Sequence, residues 1–256
     1  MILRTCLLTE HDCFRAGGLL RPRGVMIHST GANNPNLRRY LAPDDGLLGT
    51  PSSRHWNRSG LDMCAHAFIG KLADGTVAAY QTLPWTVRGW HCGRGALGSA
   101  NDTHIAMEIC EDGLDDPVYF QSAYGAAAEL TARLCAQFGL DPMADGVVIT
   151  HAEGYRRGVA SNHADVLHWF PRFGKTMDDF RADVARRMKK EDEPVTQEQF
   201  DAMMERWLAR RGQLPAAGWA APIIRSAREA GLTDGTRPQA LATRQEVMAM
   251  VLAAQN

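Results

Sequence analysis

The sequence of 256 residues predicts an α/β fold in its longer N-terminal part and a small all-helical module at its C-terminal end. Short apolar runs of strand length alternate with helical segments up to about residue 188, whereas every periodic segment after Pro194 is helical. Between the two parts, basic residues 186–190 pass directly into acidic residues 191–193, which is typical of a solvated linker. We therefore predict three segments: a domain over 1–188, a linker over 189–195 and a helical module over 196–256.

The strands of the first domain are predicted from short β-prone runs. Asp74-Gly75 separates two such runs and is a strong hairpin signal. Another run alternates, with Ile105, Met107 and Ile109 on one face and Glu108 on the other. The predicted strands cover residues 24–28, 67–71, 76–81, 104–110 and 146–151.

Helical segments complete both parts of the chain. In the first domain, an Ala- and Leu-rich helix is predicted over 121–138, and another follows the N-cap candidate Thr176. In the module, Thr196 with Gln199 and Thr243 with Glu246 form capping boxes, and a helix is predicted between them over about 219–230. The Met and aromatic stripes of the module, such as that from Phe200 to Trp207, are expected to form its core.

The composition excludes several function classes. A formal net charge of -1 gives no general electrostatic case for nucleic acid or an anionic membrane. No stretch approaches the roughly 20 apolar residues of a membrane helix, and Met1–Thr9 lacks a signal-peptide core. We therefore expect synthesis in the cytoplasm, and we expect the six scattered cysteines to be reduced thiols.

Two histidines stand where apolar runs end. His28 directly follows the apolar run over residues 24–27, and His151 directly follows the strand-type run over residues 146–150. The sequence contains neither HExxH nor paired CxxC motifs. If both strands belong to one sheet, the two imidazoles can converge on one ion, and histidine is the commonest zinc ligand. The alternative is that each ring caps its strand through a hydrogen bond to the backbone.

A catalytic zinc needs a third protein ligand and an open position. The Gly-containing segment after His151 offers His163, Asp165 and His168 for this purpose. Glu108 is a carboxylate on an otherwise apolar strand, where it is either a general base with a raised pKa or a surface-facing residue.

Five sequence pieces, in this order, resemble the type-2 N-acetylmuramoyl-L-alanine amidase family, which includes phage endolysins and peptidoglycan recognition proteins. The resemblance spans roughly residues 23–185. The matching pieces are residues 27–30, 64–69 ahead of Asp74-Gly75, 90–93, Asn101 with 106–109, and 150–151 with 163–165.

The resemblance implies a mixed central β-sheet flanked by helices, with zinc held at one edge by His28, His151 and Asp165. It implies that Glu108 activates water for hydrolysis of the amide bond between N-acetylmuramic acid and L-alanine. His163 stands where many members carry a lysine that steadies the oxyanion, and its alternative role is that of a zinc ligand. His168 is expected to pack beside Trp169.

Three further residues match the family's substrate groove, namely His66, Trp90 and His91, although a structural role is an equal alternative for each. The resemblance implies bacterial peptidoglycan as the substrate and a phage or prophage endolysin that acts on the cell wall after release. Two alternatives are a recognition protein that binds peptidoglycan without cutting it and an intracellular amidase that recycles muropeptides.

The C-terminal segment from Trp219 to Glu246 is similar to a surface-layer homology repeat. Such modules anchor proteins to cell-wall polymers, usually as several repeats, whereas this chain has about one copy. The module is therefore expected to bind a wall polymer, and the alternative is a packing or homodimer contact.

Overall fold

The computed structural model describes residues 1–192 and 196–253 of the chain. By its internal contacts the chain divides into two compact units, with the boundary after Asp192. A helix continues to Asp192, so residues 189–192 of the predicted linker are helical, while residues 193–195 lie outside the described residues. Within the described ranges, no helix has the length and apolar character needed to cross a bilayer.

A mixed β-sheet forms the centre of the first unit, as the sequence predicted. In the part of the chain that the structure describes, six strands lie side by side in the order β1-β4-β3-β5-β2-β6. Strands β3 and β4 form the antiparallel hairpin, and the other neighbouring pairs are parallel. The strands are β1 (Ile2–Thr5), β2 (Gly24–Ser29), β3 (Ala67–Lys71), β4 (Val77–Gln81), β5 (His104–Ile109) and β6 (Val148–Thr150).

Helices flank this sheet, and they are α1 (Asp12–Ala16), α2 (Pro117–Phe138), α3 (His151–Arg156) and α4 (Met177–Asp192). Helix α2 begins at Pro117, earlier than predicted, because Asp116 accepts hydrogen bonds from two backbone amides of the first turn. It ends at Gly139, which adopts the left-handed conformation that favours glycine.

The two faces of the sheet have different roles. Ile105, Met107 and Ile109 of β5 pack with α2 in the main hydrophobic core. Their neighbours Ala106 and Cys110 point to the opposite face, where they join a second core. Because side chains alternate along a strand, Glu108 also points to that second face.

The last predicted strand is shorter than expected, and this changes the setting of His151. Strand β6 covers only Val148–Thr150, and His151 is the first residue of α3 instead of the last residue of the strand. The cause is a capping box, in which Thr150 accepts from the amide of Glu153 and Glu153 accepts from the amide of Thr150. Strand β1 was not predicted, because its side chains are exposed and lack a buried stripe.

The second unit contains α5 (Gln197–Gly212), α6 (Ala221–Glu229) and α7 (Arg244–Ala253). Both predicted capping boxes, at the starts of α5 and α7, are confirmed. The expectation that the Met and aromatic stripe of α5 forms core is wrong. Phe200, Met203 and Trp207 are 49%, 53% and 44% exposed. The second unit is small, and its helices are too few to cover every apolar face.

Candidate metal centre

A cleft of about 330 Å³ opens where β2 and β5 end beside the start of α3. It lies in the first unit, on the sheet face opposite α2. The carboxyl ends of parallel strands meet there, which is the usual place for a site in such sheets. Residues lining the cleft include Tyr40, Trp56, Trp90, His91, Glu108, Ser161 and His163, together with His28, His151 and Asp165.

Three potential metal ligands converge in this cleft. His28, His151 and Asp165 each offer one ligand atom, and these atoms lie within 4.8 Å of one another. The Asp165 Oδ2 atom is 3.0 Å from His151 Nδ1 and 3.6 Å from His28 Nδ1. Asp165 adopts a φ of +46°, a left-handed conformation that aspartate tolerates better than most residues. Of the three predicted candidates for a third ligand, the structure brings Asp165 into the cluster.

Two observations indicate that the cluster fits a zinc ion. Two ligands at about 2.0–2.1 Å from a tetrahedral zinc ion are separated by roughly 3.4 Å, and the separations of 3.0 and 3.6 Å lie on either side of this value. In addition, Asp165 Oδ2 is buried and makes no aligned hydrogen bond within the described residues, although two imidazole nitrogens are close to it. Ligand atoms that converge on a shared point, instead of on one another, have this geometry.

The protonation states also suit metal binding. Burial lowers the pKa of His28, so its imidazole stays neutral and keeps a lone pair for a metal. Burial alone would raise the pKa of Asp165, but the adjacent imidazoles of His151 and His28 outweigh this effect and hold the pKa below its ordinary value. Neutral imidazole and ionised carboxylate are the forms that bind metals.

Glu108 lies directly beside His28, because the two residues are register partners on the neighbouring strands β5 and β2. Its Oε2 atom is buried and has no hydrogen-bond partner among the residues described. Burial, together with the charges of Asp165 and Glu111, raises the pKa of Glu108 well above its ordinary value. Such a carboxyl group exchanges protons closer to neutral pH, which suits general acid–base chemistry.

His163 lies at the exposed edge of the cleft. Its ring centroid is 4.6 Å from that of His151, and its Nδ1 atom is 3.3 Å from Ser161 Oγ. The ring is outside the three-residue ligand cluster found among the described residues. His163 therefore borders the cleft without joining the ligand cluster, and its catalytic role stays a prediction.

Two other predicted candidates are engaged elsewhere. His168 pairs with buried Glu111, with 3.0 Å between Nε2 and Oε1, and so does not join the ligand cluster. His66 is fully buried, where its Nε2 atom donates to the Val87 carbonyl and its Nδ1 atom accepts from the Ala106 amide. Because both nitrogens are used by the backbone and His66 is absent from the described lining of the cleft, substrate contact is not supported at this position.

Trp90 and His91, the other two predicted groove residues, do line the cleft. The backbone of Trp90 pairs with that of Cys64, which leaves the indole beside the opening. His91 contacts His28 through Nδ1 and the His104 carbonyl through Nε2. Trp90 stays a predicted substrate contact, whereas the ring nitrogens of His91 are already occupied.

Several lining residues were missed by the sequence analysis, among them Ser161, Tyr40 and Trp56. Ser161 Oγ is 3.1 Å from His151 Nε2 and donates to the Cys92 carbonyl. Tyr40 stacks on Phe68, with 5.2 Å between ring centroids, and burial raises the pKa of Tyr40 to about 12. Trp56 belongs to the same aromatic group. All three come from loops or a short turn, where the sequence has no periodic signal that could have indicated them.

The model of the family described as N-acetylmuramoyl-L-alanine amidase, Amidase_2, matches residues 18–171. This match spans more than half of the chain, and the chain therefore belongs to this family. The family resemblance predicted from the motifs is thereby confirmed, whereas the resemblance of the C-terminal segment stays a prediction. Comparison with curated proteins gives no match.

The chain is also similar to several solved structures. For Staphylococcus aureus hydrolase AmiA in complex with its ligand, the identity is 18%, the match covers 73% of this chain and 83% of that one, and the TM-score is 0.49. The catalytic domain of XlyA has 21% identity, with coverage of 72% and 99% and a TM-score of 0.49. The PlyG catalytic domain has 17% identity, with coverage of 76% and 99% and a TM-score of 0.49.

Proposed function

We propose that the protein is a zinc-dependent amidase that hydrolyses the bond between N-acetylmuramic acid and L-alanine in bacterial peptidoglycan. The observation that carries this proposal is the convergence of His28, His151 and Asp165 beside Glu108 in one open cleft. Membership of the N-acetylmuramoyl-L-alanine amidase family supports the choice of bond and substrate.

Two imidazoles and one carboxylate would hold the metal and leave a position open to the cleft. When bound there, zinc supplies Lewis acidity toward water and toward the carbonyl of the scissile amide. Ser161 and His91 contact the Nε2 atoms of the two ligand histidines, so both Nδ1 atoms face Asp165.

Glu108 performs the proton transfers in this proposal. Its carboxylate takes a proton from water as the water oxygen bonds to the lactyl carbonyl carbon. The same carboxyl group then gives that proton to the alanine nitrogen as the carbon–nitrogen bond breaks, and a free amine leaves. The raised pKa of Glu108 supports this double role, since one group must accept and release the proton near working pH.

His163 would stabilise the negative charge that develops on the carbonyl oxygen during attack. Its Nδ1 atom is near Ser161 Oγ, which leaves Nε2 as the nitrogen available to the substrate. Tyr40 offers a second donor, because its hydroxyl lines the cleft and burial raises its pKa so that it keeps its proton.

A neighbouring pocket of about 380 Å³ would take the stem peptide. It shares Tyr40 and Trp56 with the metal cleft, and Arg38, Arg39 and Arg54 line it. No carboxylate in the described part of the chain forms an ion pair with these arginines. Stem peptides carry free carboxylates, and arginine binds carboxylates well, so the pocket supports a peptide that extends from the metal toward Arg38 and Arg54.

The biological role that we propose is that of a phage or prophage endolysin. The family resemblance of the sequence supports it, because that family includes phage endolysins. The second unit would bind a wall polymer, for which the exposed stripe of Phe200, Met203 and Trp207 offers an apolar surface.

Purified peptidoglycan tests the proposal. Digestion by the full chain is expected to release N-terminal alanine without new reducing sugar ends, and a chelator should abolish this release until zinc is added back. Tight wall binding without any release would instead identify a non-catalytic recognition protein.

A further inference from the structure

A chain of hydrogen bonds runs from the backbone through His91 to His28. The Nε2 atom of His91 is 3.2 Å from the carbonyl oxygen of His104, and its Nδ1 atom is 3.1 Å from the Nε2 atom of His28. A carbonyl oxygen only accepts hydrogen bonds, so the proton of a neutral His91 must be on Nε2. Its Nδ1 atom is then an acceptor, and His28 must donate from Nε2. The Nδ1 atom of His28, which faces Asp165, is consequently left with a free lone pair.

Hydrogen bonds hold the backbone of the loop on both sides of His91. Asn101 Oδ1 accepts from the backbone amides of His91 and Cys92, at 2.9 and 3.1 Å. Just before His91, the backbones of Trp90 and Cys64 exchange two hydrogen bonds, at 2.9 and 2.7 Å. The acceptor that His91 offers to His28 is therefore fixed in place.

The two ligand histidines have different partners at Nε2. The partner of His151 is the hydroxyl of Ser161, which donates to the Cys92 carbonyl and is left to accept from His151 Nε2. The partner of His28 is the acceptor Nδ1 of His91. Without that acceptor, the proton of His28 is free to move to Nδ1, where it would point toward the Asp165 carboxylate 3.6 Å away. A proton on Nδ1 removes the lone pair that the metal needs.

We infer that His91 is a positioning residue that keeps the proton of His28 on Nε2 and so holds Nδ1 open for the metal. This inference rests on the metal centre proposed above, and it gives His91 a role other than the substrate contact predicted from the sequence. Partners of this kind typically change metal affinity by about 10–100-fold.

Two substitutions distinguish the effect of the hydrogen-bond acceptor of His91 from the effect of its ring volume. In His91→Asn the side-chain oxygen takes roughly the place of Nδ1, whereas His91→Phe keeps the ring volume but offers no acceptor. His11→Asn is the matched control, because His11 is also buried, with Nδ1 accepting from the Cys13 amide and Nε2 beside the Met63 carbonyl, outside the described cleft lining.

Zinc affinity of the full chain is measured by competition with a chromophoric chelator. We expect His91→Phe to weaken zinc binding by about 10–100-fold, and we expect His91→Asn and His11→Asn to change it by less than about threefold. Nitrogen-15 NMR of histidine-labelled chain, before zinc is added, should show the His28 proton on Nε2 in the wild type and on Nδ1 in His91→Phe.

Equal zinc affinity in the wild type and His91→Phe would overturn the inference, as would equal weakening by Phe and Asn, which would indicate packing alone. A wild-type His28 with its proton on Nδ1 would overturn it without any variant, even if His91→Phe failed to fold. Failure of the wild type to bind zinc would instead contradict the proposed function, so the two failures are distinguishable.

Discussion

The two units of the chain depart from an ordinary globular protein in opposite ways. The first unit buries titratable groups, with His28, His66 and His151 almost fully covered and the Glu108 carboxylate lacking a partner within the described residues. The second unit exposes large apolar side chains, among them Trp207 and Trp219, which are 44% and 76% exposed. Both features cost stability or solubility, and such departures from local consistency concentrate at functional sites.

This contrast indicates which kind of contact each unit makes. Buried polar groups in the first unit are held in fixed protonation states and distances, which chemistry on a small reacting centre requires. Exposed apolar groups in the second unit offer area without fixed polar geometry, which suits binding to a large surface. This contrast leads us to expect catalysis from the first unit and adhesion from the second.

Loss of a metal ligand should have the largest effect on the first unit. Asp165→Ala removes the only carboxylate of the described ligand cluster, so zinc should be lost and the hydrolysis rate should fall by at least about 10³-fold. Zinc content by mass spectrometry and the rate of alanine release check this. Asp145→Ala, at an exposed carboxylate paired with Arg157, is the control. Stoichiometric zinc in Asp165→Ala would indicate that His163, and not Asp165, is the third ligand.

Glu108→Gln should separate chemistry from metal binding. The rate should fall by about 10²–10⁴-fold with zinc retained, because Gln cannot transfer a proton. A variant with normal turnover would remove Glu108 from the mechanism.

The same substitution should stabilise the zinc-free fold. Burial raises the pKa of Glu108. The contribution of this carboxyl group to the free energy of unfolding is therefore fully present below the unfolded pKa of about 4.3, and it is lost as the pH rises through the folded pKa. Glu108→Gln should therefore raise the Tm by a few degrees at pH 8 and leave it unchanged near pH 4. If the Tm difference between Glu108→Gln and the wild type were the same at both pH values, this would argue against a raised pKa of Glu108.

Sequence patterns predicted the strands and helices well where one face is buried. The alternation around Glu108 and the apolar run before His28 placed both residues on the sheet, because burial imposes a period that a sequence displays. The capping signal Thr150 to Glu153 was present in the sequence but was overlooked, so His151 was predicted on a strand instead of a helix.

The surroundings of the ligands could not be predicted in the same way. Ser161, Tyr40 and the hydrogen bond from His28 to His91 depend on the paths of loops between elements. Loop paths follow from tertiary packing and backbone turns, and they leave no periodic pattern. The family resemblance therefore indicated the candidate ligands and Glu108 but not the contacts that orient them.

Removal of the second unit should affect adhesion without affecting chemistry. A chain that lacks residues 195–256 should bind intact cell walls about tenfold more weakly, since its exposed apolar surface is gone. Hydrolysis of a small soluble muropeptide should be unchanged, because the cleft belongs to the first unit. Co-sedimentation with walls and a soluble-substrate assay measure the two effects. Undiminished wall binding by the shortened chain would contradict an adhesive role.

The smallest expected effect concerns the arginine-lined pocket. Arg38→Gln and Arg54→Gln should each raise KM about three- to tenfold and leave kcat unchanged, because in the proposed function they bind the stem peptide away from the reacting bond. Arg58→Gln, at an exposed arginine outside the described pocket lining, is the control. A fall in kcat with constant KM would place these arginines in the chemical step instead.

The most direct test of the central claim is hydrolysis of a defined muramyl tripeptide by the zinc-loaded full chain in water enriched in oxygen-18. Our account predicts one oxygen-18 atom in the lactyl carboxylate of the muramic acid product, and an unlabelled peptide with a free alanine amine. This result should disappear with Glu108→Gln. An intact substrate, or cleavage at any other bond, would contradict the assignment of this cleft as an amidase site.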